Sequence, residues 1–227
     1  MRATLISYSK PSGEMLSIGL EDIQDLVAYC ARVSNPSNQL NTGTSEKLIK
    51  YLIKHKHFSP LEMVSVCMEI ETTRDIARQM LRHRSFSFQE FSQRYADPTK
   101  DLDFVIREAR LQDTKNRQNS IELDKENDGH AIIAGSWRNK QEQLIELTRE
   151  TYAWAVEHGI AKEQARVILP EGNTVSKMYM NGTLRSWIHY IEVRSDISTQ
   201  KEHRAIASAC AEVISRVFPM LEKSNGN

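Results

Sequence analysis

Apolar residues recur along this chain at two periods, and the changes of period mark out its elements. Residues 2–8 (Arg-Ala-Thr-Leu-Ile-Ser-Tyr) suit a strand. Between Glu21 and Val33, Ile23, Leu26, Val27 and Cys30 fall at helical spacing, and Ser34-Asn35-Pro36 stops the run. A second helix begins near Thr44 or Ser45, with Leu48, Ile49, Leu52 and Ile53 on one face. It ends in Lys54-His55-Lys56-His57, whose charge suits a helix C-terminus, and Ser59-Pro60 marks the next turn. Residues 63–71 are rich in strand formers. Thr72 or Thr73 then caps a helix expected to run through Arg84, with Ile76, Ala77, Met80 and Leu81 as its apolar side.

From Asp97 to about His130 the chain is polar with no clear core face; a solvated loop and a functional lid are both open readings. A long amphipathic helix over 136–158 includes Trp137, Leu144, Leu147, Tyr152 and Ala155 among its apolar positions. A shorter helix from Lys162 to Leu169 stops at Pro170; then come a strand over 174–180 and helices over 183–193 and 199–218. There is no internal repeat and no linker rich in Gly, Ser or Pro. The expected fold class is α+β. It is a single mixed α/β domain over residues 1–227, with a central, mostly antiparallel sheet flanked by long helices.

Composition narrows the class without reaching the reaction. No apolar run approaches a membrane span, and the N-terminus lacks a signal-peptide layout, so a cytoplasmic protein with no membrane partner is expected. Cys30, Cys67 and Cys210 are far apart and odd in number, which predicts buried reduced thiols and no disulfide framework. The 30 basic and 30 acidic residues cancel, so no overall field favours a nucleic acid and any basic site must be local.

One such site is evident. Arg74, Arg78 and Arg82 lie four residues apart, which stacks them on one face of the predicted helix at a cost of roughly 0.2–0.5 kcal/mol per like-charged pair. A solvated basic face is the plain explanation. Gln79, His83, Arg84 and Arg94 add donors nearby, with only Asp75 and Glu90 to oppose them, so the cluster reads as an anion site. Phe86, Phe88, Phe91 and Tyr95 are interleaved with these donors. They suit stacking on a planar ring, and the core reading is better for at least two of them.

Arg82-His83-Arg84, then seven residues, then Ser92 with Arg94 beyond, matches the signature of the flavin-dependent thymidylate synthases. Other segments resemble that family in the same order: Ala31-Arg32-Val33-Ser34, His57-Phe58-Ser59-Pro60-Leu61-Glu62, Ala77-Arg78-Gln79, Ala165-Arg166-Val167-Ile168-Leu169-Pro170, and Arg185-Ser186-Trp187-Ile188-His189-Tyr190 with Arg194. The resemblance runs from about residue 28 to 204 and is weakest over 97–135. Met63 stands where many members have His, Phe88 where Tyr is common, and Ser198 where some carry another His; none of these removes an anion-binding arginine.

The resemblance implies a homotetramer with sites shared between subunits. It implies that FAD is the cofactor, NADPH the reductant, methylenetetrahydrofolate the carbon donor, and dUMP the substrate that becomes dTMP. By position it implies FAD contacts at His57, Ser59, Arg82, His83, Arg84 and Glu90, and a second FAD segment at Thr183, Arg185 and His189. The implied dUMP set is Gln79, Arg82, Glu90, Ser92, Gln93, Arg94, Arg166 and Arg194, with Arg94 and Arg166 on the phosphate. Arg194 is the implied catalytic group, a fixed cation favouring the N3-deprotonated uracil. Ser92 has no Ser-His-Asp arrangement to activate it and is expected to bind rather than attack. No cysteine lies in an activating motif, and no spacing among His55, His57 and His83 matches a zinc site, so neither covalent Cys catalysis nor a metal is expected. Two other classes are weighed: a nucleotide- or RNA-binding module without catalysis, and a different flavoprotein reductase.

Overall fold

The computed structural model describes residues 1–220. Its strands are β1 (Arg2–Tyr8), β2 (Ser65–Thr73), β3 (Ser87–Glu90), β4 (Arg110–Gln112), β5 (Ser120–Glu122) and β6 (Val175–Thr183). Its helices are α1 (Gly13–Ser17), α2 (Ile23–Ala31), α3 (Ser45–Lys54), α4 (Arg74–Met80), α5 (Pro98–Asp101), α6 (Asp128–Glu157), α7 (Lys162–Ala165), α8 (Leu184–Ser195) and α9 (Lys201–Val217). A four-stranded sheet has the order β1–β2–β6–β3, and β4 pairs with β5 antiparallel, Leu111 opposite Ile121. The fold is mixed α/β with an antiparallel sheet, as expected. No helix of the described residues is long and apolar enough to cross a membrane.

Packing divides the chain into two compact units. The first comprises Met1–Ile70, His83–Gln89 and the described residues from Tyr179 onward. Strand β2 alternates in burial, so Val66, Met68 and Ile70 are buried on one face. Helix α2 starts at Asp22, whose carboxylate accepts from the backbone N–H of Gln24 and Asp25, and it buries Ile23, Val27 and Ala28. Helix α9 buries Ile206, Ala207, Cys210, Val213 and Ile214, a stripe at helical spacing. Trp187 and Tyr190 of α8 are fully buried, and Trp187 Nε1 donates to Val66 O at 2.9 Å.

The second unit comprises Glu71–Arg82 and Glu90–Met178. Tyr152, Ala155, Ala165 and Leu169 form a small core, with Phe104, Val156 and Ile168 packed on it. Gln141, only 3% exposed, ties the polar stretch to α6: its side chain bonds to the backbone of Arg107 in both directions and to Asn173.

Several sequence expectations shift. Helix α4 ends at Met80, four residues short of the expected Arg84, so Arg82 sits in the following turn and not on a common face with Arg74 and Arg78. The polar stretch holds α5 and the β4–β5 hairpin, and α6 starts eight residues early, because Asn127 caps it by accepting from His130 N. On α6 only Tyr152 and Ala155 of the expected apolar positions are buried; Trp137, Leu144 and Leu147 are exposed. Cys67 and Cys30 are half-buried and only Cys210 is buried; strand alternation turns Cys67 away from the face that buries Val66. The short elements α1 and β3 lay below what the sequence pattern resolved.

Candidate active site

In the first unit, a cavity of about 410 Å³ is lined by Phe58, Glu62, Ser85, Arg185, Ser186, Ile188, His189 and Glu192. Helix α8 supplies five of these eight residues. Its cap is Thr183, whose hydroxyl accepts from Ser186 N at 3.3 Å, and that fixes the first turn bearing Arg185. Ser186 Oγ donates to Ser85 O at 3.3 Å, which holds the loop after the Arg-His-Arg triplet. Arg185 is ion-paired with Glu62, a residue of the quoted His-Phe-Ser-Pro-Leu-Glu turn. His57 and Ser59 belong to that turn and are exposed; Lys56, with φ of 56°, makes the left-handed step that ends α3.

His83 and Arg84 also belong to this unit. Arg84 is exposed and has no ion pair among the described residues. His83 Nε2 lies 2.9 Å from Arg194 Nε. Arginine offers no acceptor, so Nε2 accepts and the ring proton resides on Nδ1. Burial, then the charges of Arg194 and His189, push the His83 imidazole down to about 4, and it is neutral at pH 7. Phe86 is in the core, its ring 4.8 Å from that of Trp187, whereas Tyr95 is 80% exposed. Phe88 and Phe91 are half-buried, so one of the four aromatics is a core residue, against the expectation of at least two.

In the second unit, a cavity of about 420 Å³ is lined by Arg74, Arg78, Gln93, Glu163, Gln164, Arg166, Val167, Leu169 and Glu171. Arg74 is 8% exposed and bonds Glu90 at 3.3 Å; burial lowers it from the usual guanidinium value, and Glu90 pulls it back. Ser176 Oγ donates to the same Glu90 oxygen at 2.8 Å, and Arg78 lies 3.7 Å from the other. Arg94 pairs with Glu163 at 3.2 Å, and Arg166 Nε donates to Glu163 O at 3.3 Å. Ser92 Oγ accepts from Arg94 N at 3.4 Å. Gln93 is buried against the cavity, Gln79 is half-buried on α4, and Arg82 is exposed.

The predicted residues therefore gather into two clusters. His83, Thr183, Arg185, His189 and Arg194 meet in the first unit; Glu90, Ser92, Gln93, Arg94 and Arg166 meet in the second. Sequence reasoning passed over the carboxylates that hold the arginines, Glu62, Glu163 and Glu171, and over Ser85 and Glu192 on the cavity wall. Only Glu62 carried a signal, because it closes a quoted motif. Burial raises the thiols of Cys30, Cys67 and Cys210 above the ordinary value, and no described cysteine is poised as a thiolate.

Comparison with known proteins places the chain in a family. The family described as Thymidylate synthase complementing protein matches residues 16–220. A protein of Paramecium bursaria Chlorella virus 1, named a probable flavin-dependent thymidylate synthase, is 47% identical and covers 99% of this chain and 98% of its own. A flavin-dependent thymidylate synthase of a Synechocystis species is also 47% identical, over 96% of each chain. Among solved structures, a UMP/dUMP methylase, PolB from Streptomyces cacaoi, bound with 5-Br dUMP, superposes with a TM-score of 0.75. That match covers 97% of this chain and 92% of PolB at 23% identity, and it shows a shared fold. With near-complete coverage at this identity, the chain belongs to the flavin-dependent thymidylate synthase family.

Proposed function

We propose that this chain makes dTMP by reductive methylation of dUMP, with FAD as cofactor, methylenetetrahydrofolate as carbon donor and NADPH as reductant. The observation that carries this reading is the 47% identity along nearly the whole chain to proteins named for this activity, with the Arg82-His83-Arg84 to Ser92 signature intact. The unbroken family match over 16–220 supports one catalytic domain.

The donor set of the first cavity suits one end of a dinucleotide. Exposed Arg84 and Arg185 offer paired N–H donors for a pyrophosphate, and His57, Ser59, Thr183 and His189 complete the proposed contacts. Arg82 and Glu90 belong to the same proposed set. A molecule of FAD's size exceeds about 410 Å³, so these residues fit part of it and leave the rest to a neighbouring subunit. Exposed Ile132, Trp137, Leu147 and Trp154 on α6 also favour assembly, which supports a homotetramer with shared sites. FAD, when bound, supplies the electron transfer that side chains lack.

The second cavity suits the nucleotide monophosphate. Arg94 and Arg166 are the proposed phosphate ligands, with Gln79, Arg82, Glu90, Ser92 and Gln93 around the sugar and base. The proposed role of Arg194, a residue of the first unit, is to present a permanent cation to the pyrimidine edge of dUMP in a site shared between subunits. That cation favours loss of the N3 proton and so raises electron density at C5, where the new carbon bond forms. With no activated thiol among the described residues, the proposed role of the side chains is to bind, orient and polarise.

The test is anaerobic: record the visible spectrum of the purified protein, then supply NADPH, methylenetetrahydrofolate and dUMP. Flavin absorbance with dTMP formation is the expected result. Bound flavin without dTMP would favour a different flavoprotein reductase, and neither flavin nor dTMP after added FAD would overturn the proposal.

A further inference from the structure

Tyr190 stands one helical turn before Arg194 on α8 and is fully buried. Its hydroxyl lies 3.1 Å from Nε2 of His203 on α9, which is also fully buried. The Tyr190 ring meets His83 edge-on, with centroids 5.0 Å apart and planes at 79°. Phe86 and Trp187 close the other sides of that ring at 6.0 and 5.9 Å. The chain of contacts thus runs from His203 through Tyr190 to His83, and ends at the 2.9 Å hydrogen bond to Arg194.

The end of this chain is unusual for the protein. Arg74, Arg78, Arg94 and Arg185 each face a glutamate, whereas Arg194 is held by an imidazole. A carboxylate partner would spend much of the guanidinium charge. A neutral imidazole restrains Nε and leaves the whole positive charge for a ligand. It can do so only while it stays uncharged and its ring plane is fixed. Neither Tyr190 nor His203 lines the first-unit cavity, so neither has a direct role there.

We propose that Tyr190 and His203 are positioning residues: their hydrogen bond fixes the Tyr190 ring, that ring sets the plane of His83, and His83 aims the Arg194 guanidinium. The proposal rests on the reading of Arg194 as the group that meets the pyrimidine. The neighbourhood supports it electrostatically. Burial and then Arg194 hold His203 down near 3, and burial raises the Tyr190 hydroxyl, with Cys210 beside it, so every link of the chain is neutral at pH 7. A buried polar pair with both partners present also costs little, whereas removing one strands the other.

The experiment compares Tyr190→Phe and His203→Leu in the flavin-loaded protein, each alone and combined with Arg194→Ala. Two quantities are measured, dUMP affinity and the tautomer of His83 by ¹⁵N NMR of labelled histidine. The double variant Tyr190→Phe/His203→Leu, which removes both polar partners, keeps the comparison interpretable if a single variant folds poorly. Each single variant is expected to weaken dUMP binding about three- to tenfold. It should also convert His83 from Nδ1–H to a mixture of tautomers, and have no further effect on affinity once Arg194 is gone. Equal losses in the Arg194→Ala background, or an unchanged His83 tautomer, would overturn the proposal. If Arg194→Ala alone binds dUMP normally, the reading of Arg194 fails, and the NMR result still decides whether Tyr190 and His203 set His83.

Discussion

Gly182 offers a sharp test of how tightly the core around Phe86 is packed. It lies in β6, buried, and its φ is not in the left-handed region, so alanine is allowed by the backbone. At such a position alanine ordinarily stabilises by about 0.4–1 kcal/mol, because the unfolded chain loses freedom. Here the added Cβ would lie 2.4 Å from Phe86 Cδ1, 2.6 Å from Cε1 and 3.2 Å from Cγ. Carbon atoms sit comfortably at about 3.5–4.0 Å, so the ring must move by roughly 1 Å. It has little room, being packed edge-on against Trp187 at 4.8 Å and near His83 at 6.5 Å. Overpacking of this kind costs about 1–3 kcal/mol, which for a chain of this size lowers the melting midpoint by roughly 2–12 °C. Phe86 follows His83, Arg84 and Ser85 directly, so its displacement should also disturb the His83–Arg194 bond and reduce dTMP formation beyond the loss of folded protein. Differential scanning calorimetry and an anaerobic dTMP assay on Gly182→Ala, Phe86→Leu and the double variant measure both effects. The double variant should be more stable than the sum of the singles by about 0.5 kcal/mol or more. An unchanged or raised midpoint in Gly182→Ala, or simple additivity, would refute the steric reasoning.

Three further outcomes are expected. Arg94→Ala should raise the KM for dUMP about ten- to a hundredfold with kcat changed much less, since a charge-assisted bond to phosphate contributes about 1.5–3 kcal/mol; steady-state kinetics with dUMP varied decides it, and a kcat effect alone would contradict the assignment. Trp187→Phe strands the Val66 carbonyl now served at 2.9 Å, and should cost about 1–3 kcal/mol in urea unfolding without altering the α-helical circular dichroism. Acidification should destabilise the protein between about pH 6.5 and 4: His83 and His203 are held near 4 and 3 by burial first and Arg194 second, so the unfolded chain binds more protons in that window. Their contribution is complete above 6.5 and fades as pH falls, and His203→Leu should flatten the slope by up to about 1.4 kcal/mol per pH unit; an unchanged slope would count against a neutral His203.

How much of this was legible beforehand depends on how local each signal was. Helices α2, α3, α8 and α9 were visible because a cap or stop and a buried stripe lie within one short window, as with Asp22 before Ile23, Val27 and Ala28. The end of α4 was misjudged because Leu81 and Arg82 continue a helical pattern. Only the turn made by the Gln79 and His83 carbonyls, which accept from Arg82 N and Phe86 N, shows where it stops. The β4–β5 hairpin was invisible because its three-residue strands carry no alternation to read. At the site, the arginines were legible as a motif, whereas their glutamate partners are 16 and 69 positions away for Arg74–Glu90 and Arg94–Glu163, and only folding brings them together. The Tyr190–His203 bond, between two helices, left no mark on either helix's periodicity.

The pairing of the arginines also decides which of them a ligand can claim. Arg94 and Glu163 are each about half exposed, and an exposed pair contributes only about 0–1 kcal/mol. A phosphate dianion offering charge-assisted bonds of about 1.5–3 kcal/mol outcompetes Glu163 for Arg94. Arg74 is different. Its side chain and that of Glu90 are 10% and 14% exposed, and Ser176 adds a bond to the same carboxylate. Breaking a buried pair of that kind costs about 3–5 kcal/mol, more than a phosphate contact returns, so on the proposed reading Arg74 would stay with Glu90 when a nucleotide binds. On this reckoning Arg78, half-exposed and 3.7 Å from both Glu90 and Glu171, is as available to an anion as Arg94 and Arg166, whereas Arg74 is part of the frame that holds Glu90 in place. A chain with no net charge can still bind a dianion on this basis: its exposed arginines are loosely held by carboxylates that a phosphate displaces.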